Sequence, residues 1–114
     1  MKLKDVVEGL NLEVRSGGEG LNAEVAGGYV SDLLSDVIAH SRKGDLWITL
    51  QIHQNIVAVA TLKELAGIIL INGKKPAEET VSKAAQEGVP IVTSPMTAYE
   101  IVCQLHELGI SGKR

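Results

Sequence analysis

Three short runs of apolar, largely β-branched residues constrain this chain most: Leu46-Trp47-Ile48-Thr49-Leu50, Ile68-Ile69-Leu70-Ile71 and Val89-Pro90-Ile91-Val92-Thr93. None alternates apolar with polar residues, so each reads as a strand buried on both faces rather than one wetted on one side. Glycine punctuation stands beside them at Gly44, Gly67, Gly73 and Gly88. The segments between them have helical length and helical signals, which predicts βα units and a parallel sheet.

Those intervening segments carry terminal signals of their own. Tyr29 to His40 repeats Leu33, Leu34, Val37 and Ile38 at helical spacing, with Ser31 to cap and Gly44 beyond the end. Asn55 to Leu65 combines β-branched residues with helical spacing. A helix apolar nearly all round is favoured there, capped by Asn55 and ended by Gly67. Pro76, Glu78 and Glu79 suit the first turn of a helix over 76–87, closed by Gly88. Thr97-Ala98-Tyr99-Glu100 is a capping box opening a last helix that runs to Leu108. Upstream, a short amphipathic start precedes a strand at Leu12–Arg15, a turn over 16–20 and a second strand at Glu24–Ala26. Gly112-Lys113-Arg114 is expected to fray. The fold class is α/β: a layered, largely parallel sheet flanked by helices, with residues 1–114 forming one domain.

Composition narrows the function. A net charge of -3 and only three aromatic residues, Tyr29, Trp47 and Tyr99, argue against a nucleic-acid partner. Cys103 is the only cysteine, which excludes an internal disulfide and fits a reducing, cytoplasmic setting. No long apolar run predicts a membrane span. No spacing of His, Cys or carboxylates suggests a metal, and no cofactor is expected.

Candidate site residues gather where strands should end. In parallel sheets, ligands favour the crevice outside the carboxyl ends of the strands. The Gln51-Ile52-His53-Gln54-Asn55 loop, Asn72-Gly73-Lys74-Lys75 and Thr93-Ser94 all fall at that edge. Gln51, His53, Gln54, Asn55, Asn72, Gly73, Lys74, Thr93 and Ser94 are therefore the candidate ligand-binding residues. A helix-capping role for the 51–55 loop competes on even terms. Gly27-Gly28 reads more readily as a steric turn than as an anion site. His40, at the last turn of its helix, reads as structural. Gly67 to Lys75 is not a P-loop, because five residues separate Gly67 from Gly73 and no Ser or Thr follows the lysine.

The last helix presents two stripes, Ala98, Ile101, Leu105 and Leu108, and then Tyr99, Cys103 and His106. So wide a semi-apolar surface suggests an interface, expected to be a homodimer, with Tyr99, Cys103 and His106 in it. Cys103 and His106 lack the third orienting group a nucleophile and base would need.

Val25-Ala26-Gly27-Gly28-Tyr29-Val30-Ser31-Asp32-Leu33-Leu34, Gly44-Asp45-Leu46-Trp47-Ile48-Thr49 and Gly88-Val89-Pro90-Ile91-Val92-Thr93-Ser94-Pro95 together resemble the DRTGG domain family across nearly the whole chain. Members stand alone or are attached to larger proteins, among them phosphotransacetylases and proteins with CBS domains. They are similar to the N-terminal domain of HPr kinase/phosphorylase and, in fold, to the N-terminal domains of some Mur ligases. The eponymous Asp-Arg falls near Gln51 to Asn55, and the Thr-Gly-Gly near Ile71-Asn72-Gly73, where Gly73 fits. The resemblance implies a non-catalytic regulatory domain that senses a small molecule such as a nucleotide or phosphorylated metabolite. The alternatives are a protein-interaction module acting through the last helix and a small enzyme using His53 with Lys74.

Overall fold

The computed structural model describes residues 1–112. Five strands, β1 (Glu13–Ser16), β2 (Gly27–Val30), β3 (Asp45–Thr49), β4 (Gly67–Leu70) and β5 (Ile91–Thr93), form one sheet in the order β1-β5-β4-β3-β2. Strands β2 to β5 run parallel and β1 lies antiparallel beside β5. Five helices connect or flank them: α1 (Leu3–Leu10), α2 (Leu34–His40), α3 (Asn55–Lys63), α4 (Glu78–Glu87) and α5 (Ala98–Glu107). The expected α/β class, with a largely parallel sheet between helices, is what the chain adopts.

The unbroken apolar runs are explained by layering. Successive residues of a strand point to opposite faces, so a strand covered on both sides needs apolar residues at every position. Leu46, Ile48, Ile69 and Val92 face one way and pack with Leu3, Val6 and Leu10 of α1 and with Ile101 and Leu105 of α5. Trp47, Ile68, Leu70 and Ile91 face the other way, against Val37, Ile56, Val57, Ala60 and Ala84 of α2, α3 and α4. Helix α5 opens on its expected capping box. The Thr97 hydroxyl accepts from the Glu100 N–H at 3.3 Å, and the Glu100 carboxylate accepts from the Thr97 N–H at 3.1 Å. Helix α4 ends at Gly88, which is left-handed at φ 68° as expected of a glycine cap.

Several expectations are corrected. Gly27-Gly28 is not a turn before a helix but the start of β2, which lies in parallel register with Asp45 to Ile48. The second strand is therefore displaced from Glu24–Ala26, and α2 begins five residues later than Tyr29, at Leu34. Glycine pairs disfavour strands locally; here pairing with β3 overrides that tendency. Ser31 does bond its neighbour, its hydroxyl accepting from Leu33 N–H at 3.1 Å, but the cap position is Leu33. Of the four apolar residues expected to face inward from α2, Val37 is fully buried whereas Leu33 is 65% exposed.

Helix α3 buries Ile56, Val57, Val59 and Ala60, yet Leu62 is exposed, so it is not apolar all round. Its N-terminus is served by His53, whose Nδ1 accepts from the Asn55 N–H at 3.2 Å, rather than by the Asn55 side chain. Glu64, left-handed at φ 54°, ends it, and Gly67 instead opens β4. The expected fraying at Lys113 and Arg114 lies outside the described residues.

A polar cluster fastens α2 to β2. The Tyr29 hydroxyl donates to Asp36 at 2.9 Å, and Nδ1 of His40 lies 3.0 Å from the other Asp36 oxygen. His40 thus acts structurally, through a carboxylate rather than through helix carbonyls. Hydrogen bonds from Ser31 and Tyr29 hold the Asp36 carboxyl below the usual carboxylate range, against desolvation, and His40 adds to the effect. A carboxyl depressed in the folded state contributes stability that is present above its unfolded pKa and is lost as pH falls through the folded one. Asp36→Asn should therefore lower the melting temperature at neutral pH, with the gap to wild type narrowing as the pH falls below the usual carboxylate range. Thermal melts of both proteins across that range check it, and a gap that widens with acid would refute the assignment.

Candidate functional site

The chain leaves β2, β3, β4 and β5 at one edge of the sheet, and side chains there are largely committed to holding the loops. The Asp32 carboxylate, just after β2, accepts from the Thr49 hydroxyl and the Leu50 N–H, both at 2.8 Å. Gln51 donates through Nε2 to the Asp32 carbonyl at 3.0 Å. The Ile52 carbonyl accepts from the Thr80 hydroxyl at 2.6 Å and from the Ala77 N–H at 3.2 Å. The 51–54 loop is thereby tied to β2 on one side and to the start of α4 on the other.

The next two loops are zipped to each other. The Asn72 N–H donates to the Met96 carbonyl at 2.9 Å and the Gly73 N–H to the Ser94 carbonyl at 3.0 Å. Asn72 and Gly73 both adopt left-handed backbone, φ 55° and 71°, which Asn and Gly tolerate best. Lys74 and Lys75 follow that turn and line the same hollow as Thr93 and Ser94 at the end of β5.

A cavity of about 210 Å³ results, with Thr93 and Ser94 among its lining and Gly73, Lys74 and Lys75 on one side. Its other wall comes from the antiparallel strand β1: Glu13 stands opposite Thr93, and Asn11, Glu13 and Arg15 complete the lining. Arg15 is held in place, its Nε donating to the Thr93 hydroxyl at 3.2 Å and its guanidinium paired with Glu13 at 3.1 Å. Among the described residues, Lys74 and Lys75 have no carboxylate partner within 4.0 Å. With Glu13 offsetting Arg15, two uncompensated positive charges face a floor of nearly buried hydroxyls, Thr93 and Ser94. Such an arrangement offers ammonium and hydroxyl donors, the groups that suit an anion. Among the described residues, no three His, Cys, Asp or Glu come together as a metal cluster.

Of the residues singled out from sequence, Gly73, Lys74, Thr93 and Ser94 share this cavity. Gln54 lies elsewhere, in an open hollow of about 410 Å³ with Glu78, Glu79, Ser82, Lys83 and Gln86. Gln51, His53, Asn55 and Asn72 line neither hollow, and the polar bonds above occupy Gln51 and His53 in loop architecture. His53 is not among the residues that line the cavity with Lys74. Asn11, Glu13 and Arg15 escape sequence reading. The Glu13-Val14-Arg15 alternation hints that two charges share a face, but only the return of β1 against β5 brings them here.

Beside β2, at the far end of the strand order from β1, a second groove of about 480 Å³ is largely apolar. It is lined by β2 and α5 and includes Cys103 and His106, while Tyr99, at 82% exposure, is not part of it. No helix among the described residues is long and apolar enough to cross a membrane.

Comparison with known proteins agrees with this architecture. Among solved structures, the chain is similar to a crystal structure of the CBS and DRTGG domains of the regulatory region of Clostridium perfringens pyrophosphatase, complexed with activator, diadenosine tetraphosphate. It superposes with a TM-score of 0.70 at 15% identity, covering 91% of this chain and 45% of that one. At that identity the likeness is one of fold, and this chain spans less than half of that regulatory fragment. No curated protein matches the sequence. The DRTGG domain, by contrast, matches residues 5–108, which takes in all five strands and the whole of α5. With fold and sequence pattern in agreement over nearly its full length, the chain belongs to the DRTGG domain family.

Proposed function

We propose that this chain is a cytoplasmic regulatory domain that senses a phosphorylated small molecule, whose phosphate groups sit in the cavity between β1 and the loops after β4 and β5. The observation that carries this reading is that Lys74 and Lys75, without carboxylate partners among the described residues, line one cavity with Thr93 and Ser94, where Arg15 is bonded to the Thr93 hydroxyl and paired with Glu13. A chain of net charge -3 concentrates cations there against its overall sign. At about 210 Å³ the cavity is smaller than a typical site for a whole drug-sized ligand. It suits one or two phosphate groups, with the rest of the ligand lying outside.

The similar pyrophosphatase fragment supports the ligand class, because its activator is a nucleotide rich in phosphate. That fragment also contains CBS domains, so its activator argues for regulation by such ligands rather than for a location. The cavity supplies donors and charge but no nucleophile oriented by a base, which favours binding over turnover.

Titration calorimetry with pyrophosphate, ATP and diadenosine tetraphosphate tests the reading. Saturable binding that weakens with added salt is expected. Replacing both lysines, Lys74→Ala with Lys75→Ala, should weaken it by at least ~10-fold, as expected for losing two charge-assisted contacts. Lys63→Ala, on α3, should change nothing. Absence of binding by all three probes, or undiminished binding by the double variant, would sink the proposal.

A further inference from the structure

We infer, resting on the phosphate site proposed for the cavity, that its ligand is a phosphate ester with neutral hydroxyl groups beside the phosphate, a sugar phosphate or ribonucleotide. Glu13 is the residue that selects it.

The floor of the cavity is polarised in one direction. The Thr93 hydroxyl oxygen accepts from Arg15 Nε at 3.2 Å, and the Ser94 hydroxyl oxygen accepts from the Met96 N–H at 3.0 Å. A hydroxyl has a single hydrogen to give, and among the described residues neither of these meets a protein acceptor. Both are free to donate into the cavity, beside the ammonium groups of Lys74 and Lys75. Thr93 and Ser94 are only 6% and 3% exposed, so the donor end is the deep end. An ionised phosphate oxygen, which only accepts, suits it.

The rim has the reverse polarity. Glu13 lies opposite Thr93 in the pairing of β1 with β5, and opposed residues of an antiparallel pair share a sheet face. The register slips at Arg15: Val14 faces Val92 and Ser16 faces Ile91, which leaves Arg15 with no residue opposite. Such a bulge re-aims a side chain. Here the Arg15 guanidinium reaches both Thr93 and Glu13, donating through Nη2 to Glu13 Oε2 at 3.1 Å. It thereby anchors a carboxylate that is 67% exposed above a nearly closed floor. Glu13 Oε1 has no partner among the described residues, and Glu13 is the one lining side chain that can only accept.

A cavity of about 210 Å³ leaves the rest of a phosphate ester at this rim, where it meets the carboxylate. A further anionic group there would be repelled, so the ligand must bring donors. Ammonium donors are disfavoured, because Arg15 already compensates Glu13 and the two lysines repel an added cation. Hydroxyls escape that repulsion, and a hydrogen bond to an ionised acceptor is among the stronger kinds.

Titration calorimetry at constant ionic strength with ribose 5-phosphate, pentyl phosphate and aminopentyl phosphate tests this. Ribose 5-phosphate should bind at least ~10-fold more tightly than pentyl phosphate, and more tightly than aminopentyl phosphate. Glu13→Ala releases Arg15 to any phosphate, so pentyl phosphate should gain affinity while the ratio of the two esters falls to within ~2-fold. Glu13→Gln keeps an acceptor oxygen and should keep part of the ratio. Glu107→Gln removes the same charge beside the β2 groove and should leave the ratio unchanged. A wild-type ratio near one, a ratio untouched by Glu13→Ala, or tightest binding of aminopentyl phosphate each overturns selection by Glu13 and leaves the phosphate site standing. Failure of all three esters and of pyrophosphate to bind overturns the phosphate site as well.

Discussion

Trp47→Ala should cost this domain about 3–5 kcal/mol, enough to leave it largely unfolded under mild denaturing conditions. Trp47 lies at the centre of β3, is fully buried, and packs among residues of α2, α3 and the neighbouring strands. Truncation removes the largest side chain of that core layer and leaves a cavity that rigid neighbours on three sides cannot close. It also removes the indole N–H that donates to the Ser31 carbonyl at 2.8 Å, one of the bonds that tie the end of β2 to β3. Trp47→Phe separates the two effects, because it keeps most of the packing and loses the hydrogen bond. A loss of about 1–2 kcal/mol is expected for it. Urea titrations followed by circular dichroism measure both, since Trp47 is the chain's only tryptophan and the variants lose its fluorescence. A loss below about 1 kcal/mol for Trp47→Ala would contradict the packing described.

Gly17→Ala should be nearly as damaging, for a different reason. Gly17 sits at φ 70° just after β1, where a side chain costs about 1–2 kcal/mol by conformation alone. A Cβ there would lie 2.6 Å from the Val89 carbonyl oxygen and 2.7 Å from Pro90 backbone atoms, none of which can swing aside. Relief requires β1 to lift from β5 near the register break between Val14 and Ser16. The total loss should therefore reach about 3 kcal/mol or more. Because β1 carries Glu13 and Arg15 into the cavity, anion binding should fall together with stability. Gly73→Ala is the informative contrast. It has a similar φ of 71°, but its Cβ would meet open space, so only the conformational cost of about 1–2 kcal/mol applies. Equal losses at the two glycines in urea titration would refute the steric account.

The two positions differ in how legible they are. From sequence, Gly17 and Gly73 are both turn glycines in polar loops. The backbone of Val89 and Pro90 that makes Gly17 irreplaceable belongs to a segment far away in the chain. The same separation explains the reading of the site. The loops after β4 and β5 were visible as strand ends near helix starts, and Gly73, Lys74, Thr93 and Ser94 do meet in one cavity. The loop after β3 has the same local signals, yet its polar groups are spent on Asp32, on α4 and on the N-terminus of α3.

What the sequence determined by itself was the alternation of β3, α3, β4, α4, β5 and α5. Strands buried on both faces must be apolar throughout, and helix termini must satisfy their own orphan donors and acceptors, so both signals are local. The strand expected at Leu12–Arg15 is β1, but tertiary structure alone decided its place beside β5 and the existence of β2 at Gly27–Val30. β2 exists because Gly27 to Val30 finds β3 to pair with, and Arg15 reaches Thr93 because β1 returns antiparallel to β5. Edge strands owe their conformation to a single neighbour distant in the chain, and no local pattern of residues encodes that neighbour's position.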